Sequence, residues 1–355
     1  MILTTAIPNA EIDSRETISV PTAKAGISFD DLYRKALGIQ SLCTDFNVSQ
    51  VPNHMMIDPN VGGNVLYIPD ETPSIKREAV MTRYAMSQLC NKLGIPIRYI
   101  EKCIDSGMVQ LAADNMNEWL DSYDRSLFIR EYDGKIRGVL SDRYMTLDTP
   151  NIMEVISSVV DSSLYSTKGY YLSPERFHAR IVQNSMMKID GEDLFAGIQI
   201  DSSDVGRSTL LVRFMIFKQV CTNGLCISKG EGVLFEQRHV GISLDDFHSE
   251  FRKSMSRIPI LMNNAVELIE ESRKPDKKYS VGRFTESELA DFVERVKIKT
   301  RLSDDSVSKV ITFMKDKYSC TKWGLINSIT EVAQDFTLER RVELEKIAGD
   351  MLLSA

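Results

Sequence analysis

The sequence predicts an α+β fold with a helical N-terminal region, a central and mostly antiparallel β-sheet, and a helical C-terminal region. Within residues 125–244, apolar and polar side chains alternate over short stretches separated by turn residues, which is typical of antiparallel strands. Residues 75–120 and 245–355 instead place apolar side chains at helical spacing. We therefore expect three regions: an N-terminal arm with helices (1–124), a sheet domain with a hairpin and an inserted helix (125–244), and a helical region (245–355).

The N-terminal region is expected to contain an arm followed mainly by helices. Residues 1–27 lack periodicity, whereas residues 29–42 follow Ser28, a favourable N-cap residue, and repeat apolar side chains at helical spacing. A loop rich in proline, glycine and asparagine comes next, with one short strand expected at 65–68. Three helices are then expected, over about 75–92, from Pro96 to Gly107, and over about 109–120.

A β-hairpin opens the sheet domain in "LFIREYDGKIRGVLSDRY" (127–144). Asp133-Gly134 favours a two-residue turn, because both turn positions need positive φ. This turn predicts a register in which Arg130 lies opposite Arg137, and like charges in that position are destabilising. We therefore expect compensation, either from acidic side chains elsewhere in the fold or from an anionic ligand. The same register pairs Tyr132 with Lys135, Glu131 with Ile136, and Phe128 with Val139.

The remaining elements follow from similar local patterns. A helix is expected at 149–163, and four strands are expected in "RFHARIV", "LFAGIQIDSS", "STLLVRFMIFKQVC" and "GVLFEQRHVGI". After residue 245 a long helix should run to 272 and end at a charged, proline-containing break. Thr285 with Glu288 forms a capping box, and Ser303 begins another helix. Two further helices are expected at about 321–336 and 338–353.

The composition is typical of a soluble globular protein rather than a membrane protein. The 355-residue chain is 43% hydrophobic and 26% charged, and no apolar run reaches the length of a membrane span. The N-terminus lacks the pattern of a signal peptide, so we expect a cytoplasmic location. Six scattered cysteines indicate reduced thiols. The net charge of −7 argues against a basic surface over the whole protein but allows a local one.

Motifs for nucleotide, metal or nucleophile chemistry are weak. Neither a P-loop nor a dinucleotide fingerprint occurs, which argues against an ATP-driven recombinase or helicase. Cys221 and Cys226 do not have zinc-knuckle spacing, and the histidines are far apart in sequence. We therefore expect no cofactor, no metal and no catalytic residue. Two possibilities remain open: Cys221 acting with His178 or His239, and magnesium held by Asp142 with Asp148 or by Asp201 with Asp204.

Basic and aromatic side chains are interleaved in the sheet domain, which favours binding of single-stranded nucleic acid. Cations can follow phosphates while aromatic rings stack on bases. The alternative is an ordinary sheet face with internal ion pairs. The hairpin contributes the first group of predicted contacts and the later strands contribute the second: Arg130, Tyr132, Lys135 and Arg137, then Arg176, Arg180, Arg207 and Arg213.

Four blocks of the chain resemble a phage- and plasmid-associated family catalogued as domain of unknown function 932. They are "GVLSDRYMTLDTPNIMEVI", "DVGRSTLLVRFMIFKQVCTNGLCI", "RHVG" and "TKWGLINSITEVAQDF", in the family order from about residue 125 to the C-terminus. The resemblance implies a mobile-element protein of a bacterial cytoplasm and carries over no catalytic residue. Within the second block, Asn223-Gly224 is expected to form a turn with Gly224 at positive φ.

The order of hairpin, helix and long antiparallel strands is also similar to the core of RecT/Red-beta single-strand annealing proteins. That architecture-level resemblance implies ATP-independent annealing by a homo-oligomeric ring or filament. The sequence therefore predicts a single-stranded DNA-binding, strand-annealing protein of phage or plasmid replication and recombination. Two alternatives remain: a protein-binding factor of a mobile element, such as an inhibitor of a host defence system, and a metal-dependent nuclease.

Overall fold

The computed structural model describes residues 27–59, 64–161, 163–189, 192–218, 223–226, 232–238 and 243–353. Within these ranges, helices occupy both ends of the chain and antiparallel strands dominate the centre, which confirms the predicted α+β class. The expected arm at 1–27 lies almost entirely outside the described residues.

The first half of the chain forms one sheet covered by helices. The sheet order is β1-β5-β6-β4-β3-β2 among the described residues, and β4 pairs with β6 in parallel while the other pairs are antiparallel. Buried side chains of the helices, such as Leu89, Met116 and Leu120, belong to the same hydrophobic core as Ile136 of this sheet. The elements are α1 (Phe29–Gln40), β1 (Cys43–Val48), α2 (Val51–His54), β2 (Met55–Asp58), β3 (Asn64–Tyr67), β4 (Arg77–Met81), α3 (Arg83–Leu93), α4 (Ile97–Asp105), α5 (Val109–Asp121), β5 (Leu127–Tyr132) and β6 (Lys135–Ser141).

The second half forms another sheet and the C-terminal helices. Its order is β12-β11-β10-β8-β7, with β9 added to β10 and β13 added to β11. The elements are α6 (Thr149–Val159), β7 (Tyr165–Leu172), β8 (Phe177–Gln183), β9 (Met187–Ile189), β10 (Glu192–Ser202), β11 (Leu210–Lys218), β12 (Asn223–Cys226), β13 (Val233–Gln237), α7 (Leu244–Met255), α8 (Ile258–Ser272), α9 (Glu286–Thr300), α10 (Asp304–Asp316), α11 (Lys322–Val332) and α12 (Leu338–Leu353).

Several helix ends confirm the predicted capping. Ser28 accepts a hydrogen bond from the Asp31 amide, 3.1 Å away. Thr285 and Glu288 form the predicted reciprocal capping box of α9, and Ser303 caps α10. These side chains satisfy amide groups that have no partner inside the helix.

The N-terminal region contains strands where mainly helix was predicted. Residues 77–81 form β4 rather than the first turns of a helix, and β1 and β2 were not predicted. The hairpin β5–β6, grouped with the central sheet from sequence, pairs with β1 and β4 instead. Short strands such as "CTDFNV" carry little strand signal of their own, and pairing with β5 provides their backbone hydrogen bonds.

The predicted long helix over 245–272 is two helices, because α7 ends at Met255 and α8 begins at Ile258. Pro259 lies in the first turn of α8. A proline suits that position because the missing amide hydrogen would have had no helical acceptor. The chain therefore turns at Ser256–Arg257 instead of continuing.

The hairpin turn is as predicted, but its register changes beyond Glu131. Asp133 has φ 47° and Gly134 has φ 73°, and Tyr132 pairs with Lys135. A bulge between Arg130 and Glu131 then places Arg130 opposite Gly138 and Phe128 opposite Leu140. The predicted direct pairing of Arg130 with Arg137 and of Phe128 with Val139 is therefore wrong, because a bulge inserts one extra residue.

The expected turn at Asn223-Gly224 is also wrong. Residues 223–226 form β12, in which Asn223 pairs with Lys218 and Gly224 with Phe217. Residues 219–222, which connect β11 to β12, lie outside the described residues.

No helix within the described ranges is both long enough and apolar enough to span a bilayer.

Candidate nucleic-acid interface

Arg130 lies in the interior, where carboxylates surround it. Its side chain is 0% exposed and donates hydrogen bonds to both oxygens of Asp45 at 2.9 Å. It also donates to both oxygens of Asp148 and to the carbonyl oxygen of Asp204. Such bidentate pairs are the strongest hydrogen bonds that an arginine makes. The charge of Arg130 is therefore balanced within the fold.

Arg137 is compensated in a similar way. It is 2% exposed, its Nη1 lies 3.7 Å from Oδ2 of Asp204, and the same nitrogen donates to the carbonyl oxygen of Pro174. Of the two expected forms of compensation, the structure shows the acidic side chains. A phosphate could reach Arg130 or Arg137 in this conformation only by displacing these partners.

The hairpin arginines hold the β10–β11 loop, residues 203–209, against β6. Asp204 also accepts hydrogen bonds from the amide and hydroxyl of Thr149, at 3.1 and 3.0 Å. A Cβ atom on Gly138 would lie 3.0 Å from Cγ1 of Val205, so any other residue here would require the Val205 side chain to shift by a few tenths of an ångström. Gly206, with φ +72°, then leads the chain into its exposed part. The loop is thus anchored at one end and accessible at the other.

The pKa of the Asp204 carboxyl is unusual because this side chain is buried beside a second carboxylate. Burial, together with the neighbouring Asp148, raises the pKa of the Asp204 carboxyl to about 6, while Arg137 and Arg130 oppose the rise. The protonation state of the loop anchor therefore changes near neutral pH.

A first cavity of about 510 Å³ lies between α3, β6 and the β10–β11 loop. Gln88 fixes its wall, because its side chain accepts from the Val139 amide and donates to the Val205 carbonyl, both at 2.9 Å. Burial lowers the pKa of Lys92, Arg125 lowers it further and Asp142 opposes this change. The cavity is lined by Gln88, Asn91, Lys92, Val139, Leu140, Ser141, Tyr144, Gly206, Arg207, Ser208, Thr209 and Arg238.

Two cations of the first cavity, Arg207 and Arg238, are accessible, whereas Lys92 is half-buried. The Arg207 side chain is 46% exposed, lies 3.3 Å from a Glu175 oxygen and sits over the Tyr84 ring at 5.3 Å. Arg238 is exposed and has no ion-pair partner within the described ranges. An exposed ion pair contributes little to stability, so Arg207 can exchange Glu175 for an anionic ligand at small cost.

A second cavity of about 220 Å³ adjoins the first and shares Ser208 and Thr209 with it. At its floor, Asp201 accepts from His178, Gln199 and Arg213 at 2.8 to 2.9 Å. Burial would raise the pKa of Asp201, but His178, Gln199 and Arg213 lower it below its usual range. The lining residues are Tyr171, Arg176, Phe177, His178, Asp201, Ser202, Ser208, Thr209, Leu211, Arg213, Val342 and Lys346.

We call these two neighbouring cavities, which share Ser208 and Thr209 as lining residues, the basic groove. Hydroxyl groups line its middle, and Tyr144 and Tyr171 supply half-buried aromatic rings. Among the described residues that line the groove, Asp201 is the one carboxylate, and it is paired with His178 and Arg213. The cations that line the groove are Lys92, Arg176, Arg207, Arg213, Arg238 and Lys346. This arrangement suits an anionic, phosphate-bearing ligand.

The predicted contact residues divide into three groups. Arg176, Arg207 and Arg213 line the basic groove, although Arg213 is 8% exposed and paired with Asp201. Tyr132 and Lys135 lie beside the hairpin turn and do not line the groove. Their role as contacts for DNA stays a prediction. The third group, Arg130, Arg137 and Arg180, is buried.

Arg180 resembles the hairpin arginines. It is 4% exposed and donates to Glu345 of α12, which also accepts from Arg341 at 3.0 Å. Because Glu345 is 0% exposed, Arg180 ties β8 to the C-terminal helix from inside. The role predicted for Arg180 at a nucleic-acid surface also stays a prediction.

Sequence reasoning missed Lys92, Arg238 and Lys346 as lining residues. They lie in α3, after β13 and in α12, so only tertiary structure brings them together. One local signal was present. "DVGRST" places a glycine, an arginine and two hydroxyl residues in one short loop, a composition suited to anion binding.

The open catalytic alternatives gain no support from the geometry. Within the described residues, no cluster of three or more histidine, cysteine, aspartate or glutamate side chains could hold a metal. Asp148 and Asp204 are occupied by Arg130, Arg137 and Thr149, and Asp201 by His178 and Arg213. Cys221 and His239 lie outside the described residues.

Residues 137–349 match a family model described as Domain of unknown function (DUF932). Since the match covers more than half of the chain, the protein belongs to this family, as the signature blocks predicted. No curated protein matches the chain, and no solved structure matches it. The resemblance to RecT/Red-beta annealing proteins is not confirmed.

Proposed function

We propose that this member of the DUF932 family binds single-stranded DNA in the basic groove and anneals complementary strands during phage or plasmid replication and recombination. The observation that carries the proposal is the basic groove itself, in a protein whose net charge is −7. A local excess of cations in an acidic protein marks one surface for an anion. The bacterial cytoplasm is the compartment where such a substrate would be met.

A single strand fits this groove better than a duplex. Lys92, Arg207 and Arg238 can neutralise phosphates, while Tyr171 offers a half-buried ring to an unstacked base. In a duplex the bases are stacked on each other and would not reach that ring. Hydroxyl groups of Ser208 and Thr209, where the two cavities meet, can donate to further phosphate oxygens.

The binding test measures fluorescence anisotropy of a labelled single-stranded oligonucleotide over a range of salt concentrations. Binding should weaken with salt, with a log–log slope of about −0.7 for each phosphate neutralised, hence several units in total. Little sequence preference is expected, because phosphates and stacked rings do not read base edges. Binding that ignores salt, or no binding at low salt, would remove the proposal.

Annealing requires two strands to be presented side by side, so we propose a homo-oligomer, either a ring or a filament. Light scattering with and without oligonucleotide measures the assembly, and a stopped-flow annealing assay with labelled complementary strands measures the activity. The proposal expects a species larger than one chain and faster annealing at low salt. A strict monomer that binds DNA without accelerating annealing would reduce the proposed function to binding alone.

A further inference from the structure

A separate cavity of about 320 Å³ lies among the C-terminal helices, between α9, α11, α12 and the 3₁₀ turn Lys277–Tyr279. Its wall is apolar and rigidly held, because each wall residue is at most 6% exposed. This volume is sufficient to receive a large apolar side chain. The buried wall consists of Phe292, Val296, Leu325, Ile329 and Met351.

Cations surround the opening of this cavity. Lys278, Arg295 and Lys299 are exposed lining residues, and none has an ion-pair partner in the described part of the chain. The Arg295 guanidinium lies 5.9 Å from the centre of the Phe292 ring. Lys322, at the start of α11, lies close by: burial lowers its pKa most, Lys299 and Lys278 lower it further, and Asp276 raises it. We call Lys278, Arg295 and Lys299 the cationic rim.

The rim and the wall together define the ligand chemistry. Like charges that gather without carboxylate partners repel each other, so a ligand with several negative charges would relieve the repulsion. The apolar wall requires an apolar group on that ligand as well. A single carboxylate on a hydrocarbon chain would leave most of the rim unneutralised. An acidic peptide supplies several carboxylates and a large side chain together.

The geometry points to a docking site for a partner protein: we propose that an acidic peptide segment inserts one large apolar side chain into this cavity and places its flanking carboxylates on the cationic rim. The concave shape favours a peptide over a lipid surface, because membrane attachment needs apolar side chains that protrude. Ile298, 70% exposed beside the cavity, can cover the inserted side chain. This inference does not depend on the proposed binding of DNA.

The test uses the whole protein and a fluorescein-labelled peptide in which one phenylalanine is flanked on both sides by glutamates. Wild-type protein should bind it saturably, and serine in place of the phenylalanine should weaken binding at least about tenfold. Arg295→Glu combined with Lys299→Glu should also weaken binding at least about tenfold, because it replaces attraction by repulsion. The matched control is Arg98→Glu, an exposed cation on α4 that should leave the peptide affinity unchanged.

A second variant keeps the test valid if the charge reversal disturbs folding. Ile298→Asp alters an exposed side chain at the cavity and should weaken peptide binding without changing the melting temperature. Equal binding of the phenylalanine and serine peptides would overturn the inference, because it would show attraction by charge alone. Saturable binding of dodecanoate without peptide binding would overturn it too. The inference would also be overturned if the protein sedimented with anionic vesicles and the peptide did not inhibit this binding.

Discussion

Arg130 and Arg137 on the hairpin and Arg207 and Arg238 in the basic groove are the same residue type in opposite surroundings. The hairpin pair is at most 2% exposed and faces Asp45, Asp148 and Asp204. The groove pair is exposed; Arg207 has one loose partner, and Arg238 has none within the described ranges. Burial with carboxylates makes an arginine part of the fold, whereas exposure leaves it available to a ligand.

The two sets are nevertheless connected. Arg130 and Arg137 hold Asp204, and three residues later the same loop presents Arg207 to the first cavity. The hairpin therefore affects the groove by fixing the position of the β10–β11 loop. Direct contact with a ligand is not needed for that effect.

The largest expected effect is the loss of Arg130. Arg130→Ala would leave Asp45, Asp148 and the Asp204 carbonyl without their shared cation. Breaking a buried ion pair by removing one partner costs about 3–5 kcal/mol of unfolding free energy. Urea denaturation measures this change. The control Arg98→Ala, at an exposed position, should stay within about 0.5 kcal/mol of wild type. An equally small change for Arg130→Ala would contradict the claim that the buried arginine is part of the fold.

The next effect is the pH dependence that Asp204 gives to the free energy of unfolding. Its folded pKa of about 6 lies above the usual range, so between about pH 4 and 6 the folded protein keeps a proton that the unfolded chain has lost. The free energy of unfolding should therefore fall as pH rises through this window, by up to about 3 kcal/mol. Asp204→Asn cannot titrate and should lack this fall.

Urea denaturation of wild type and Asp204→Asn at a series of pH values isolates that contribution, since other groups titrate in both proteins. Parallel stability curves for the two proteins would show that the pKa of Asp204 is the same in the folded and unfolded states. In that case burial beside Asp148 would not raise the pKa of Asp204, and the account of Asp204 would be wrong.

Local signals predicted the hairpin turn and the helix caps, because a few neighbouring residues determine those features. The hairpin turn depends only on the positive φ values of Asp133 and Gly134. The capping box depends only on Thr285 and Glu288, which lie within one turn of the same helix. The bulge between Arg130 and Glu131 could not be predicted in this way. The bulge accompanies contacts with residues distant in sequence. Val205 packs close to Gly138, and Arg130 donates hydrogen bonds to Asp148 and to the carbonyl oxygen of Asp204.

The groove was predicted only in part for the same reason. The sequence predicted Arg176, Arg207 and Arg213 as contacts because they lie in or beside the later strands of the chain. Lys92 and Arg238 are distant in sequence and meet only when α3 packs beside β6 and the β10–β11 loop. Which arginines would be buried could not be inferred either, because their carboxylate partners come from other elements, such as Asp45 of β1.

The most direct test of the central claim is the salt dependence of single-strand affinity in the double variant Arg207→Ala/Arg238→Ala. If both side chains neutralise phosphates, the log–log slope should become shallower by about 1.4 units, at about 0.7 for each phosphate lost. The melting temperature should stay close to that of wild type, because both side chains are exposed. An unchanged slope with unchanged affinity would contradict the claim that the basic groove binds the strand.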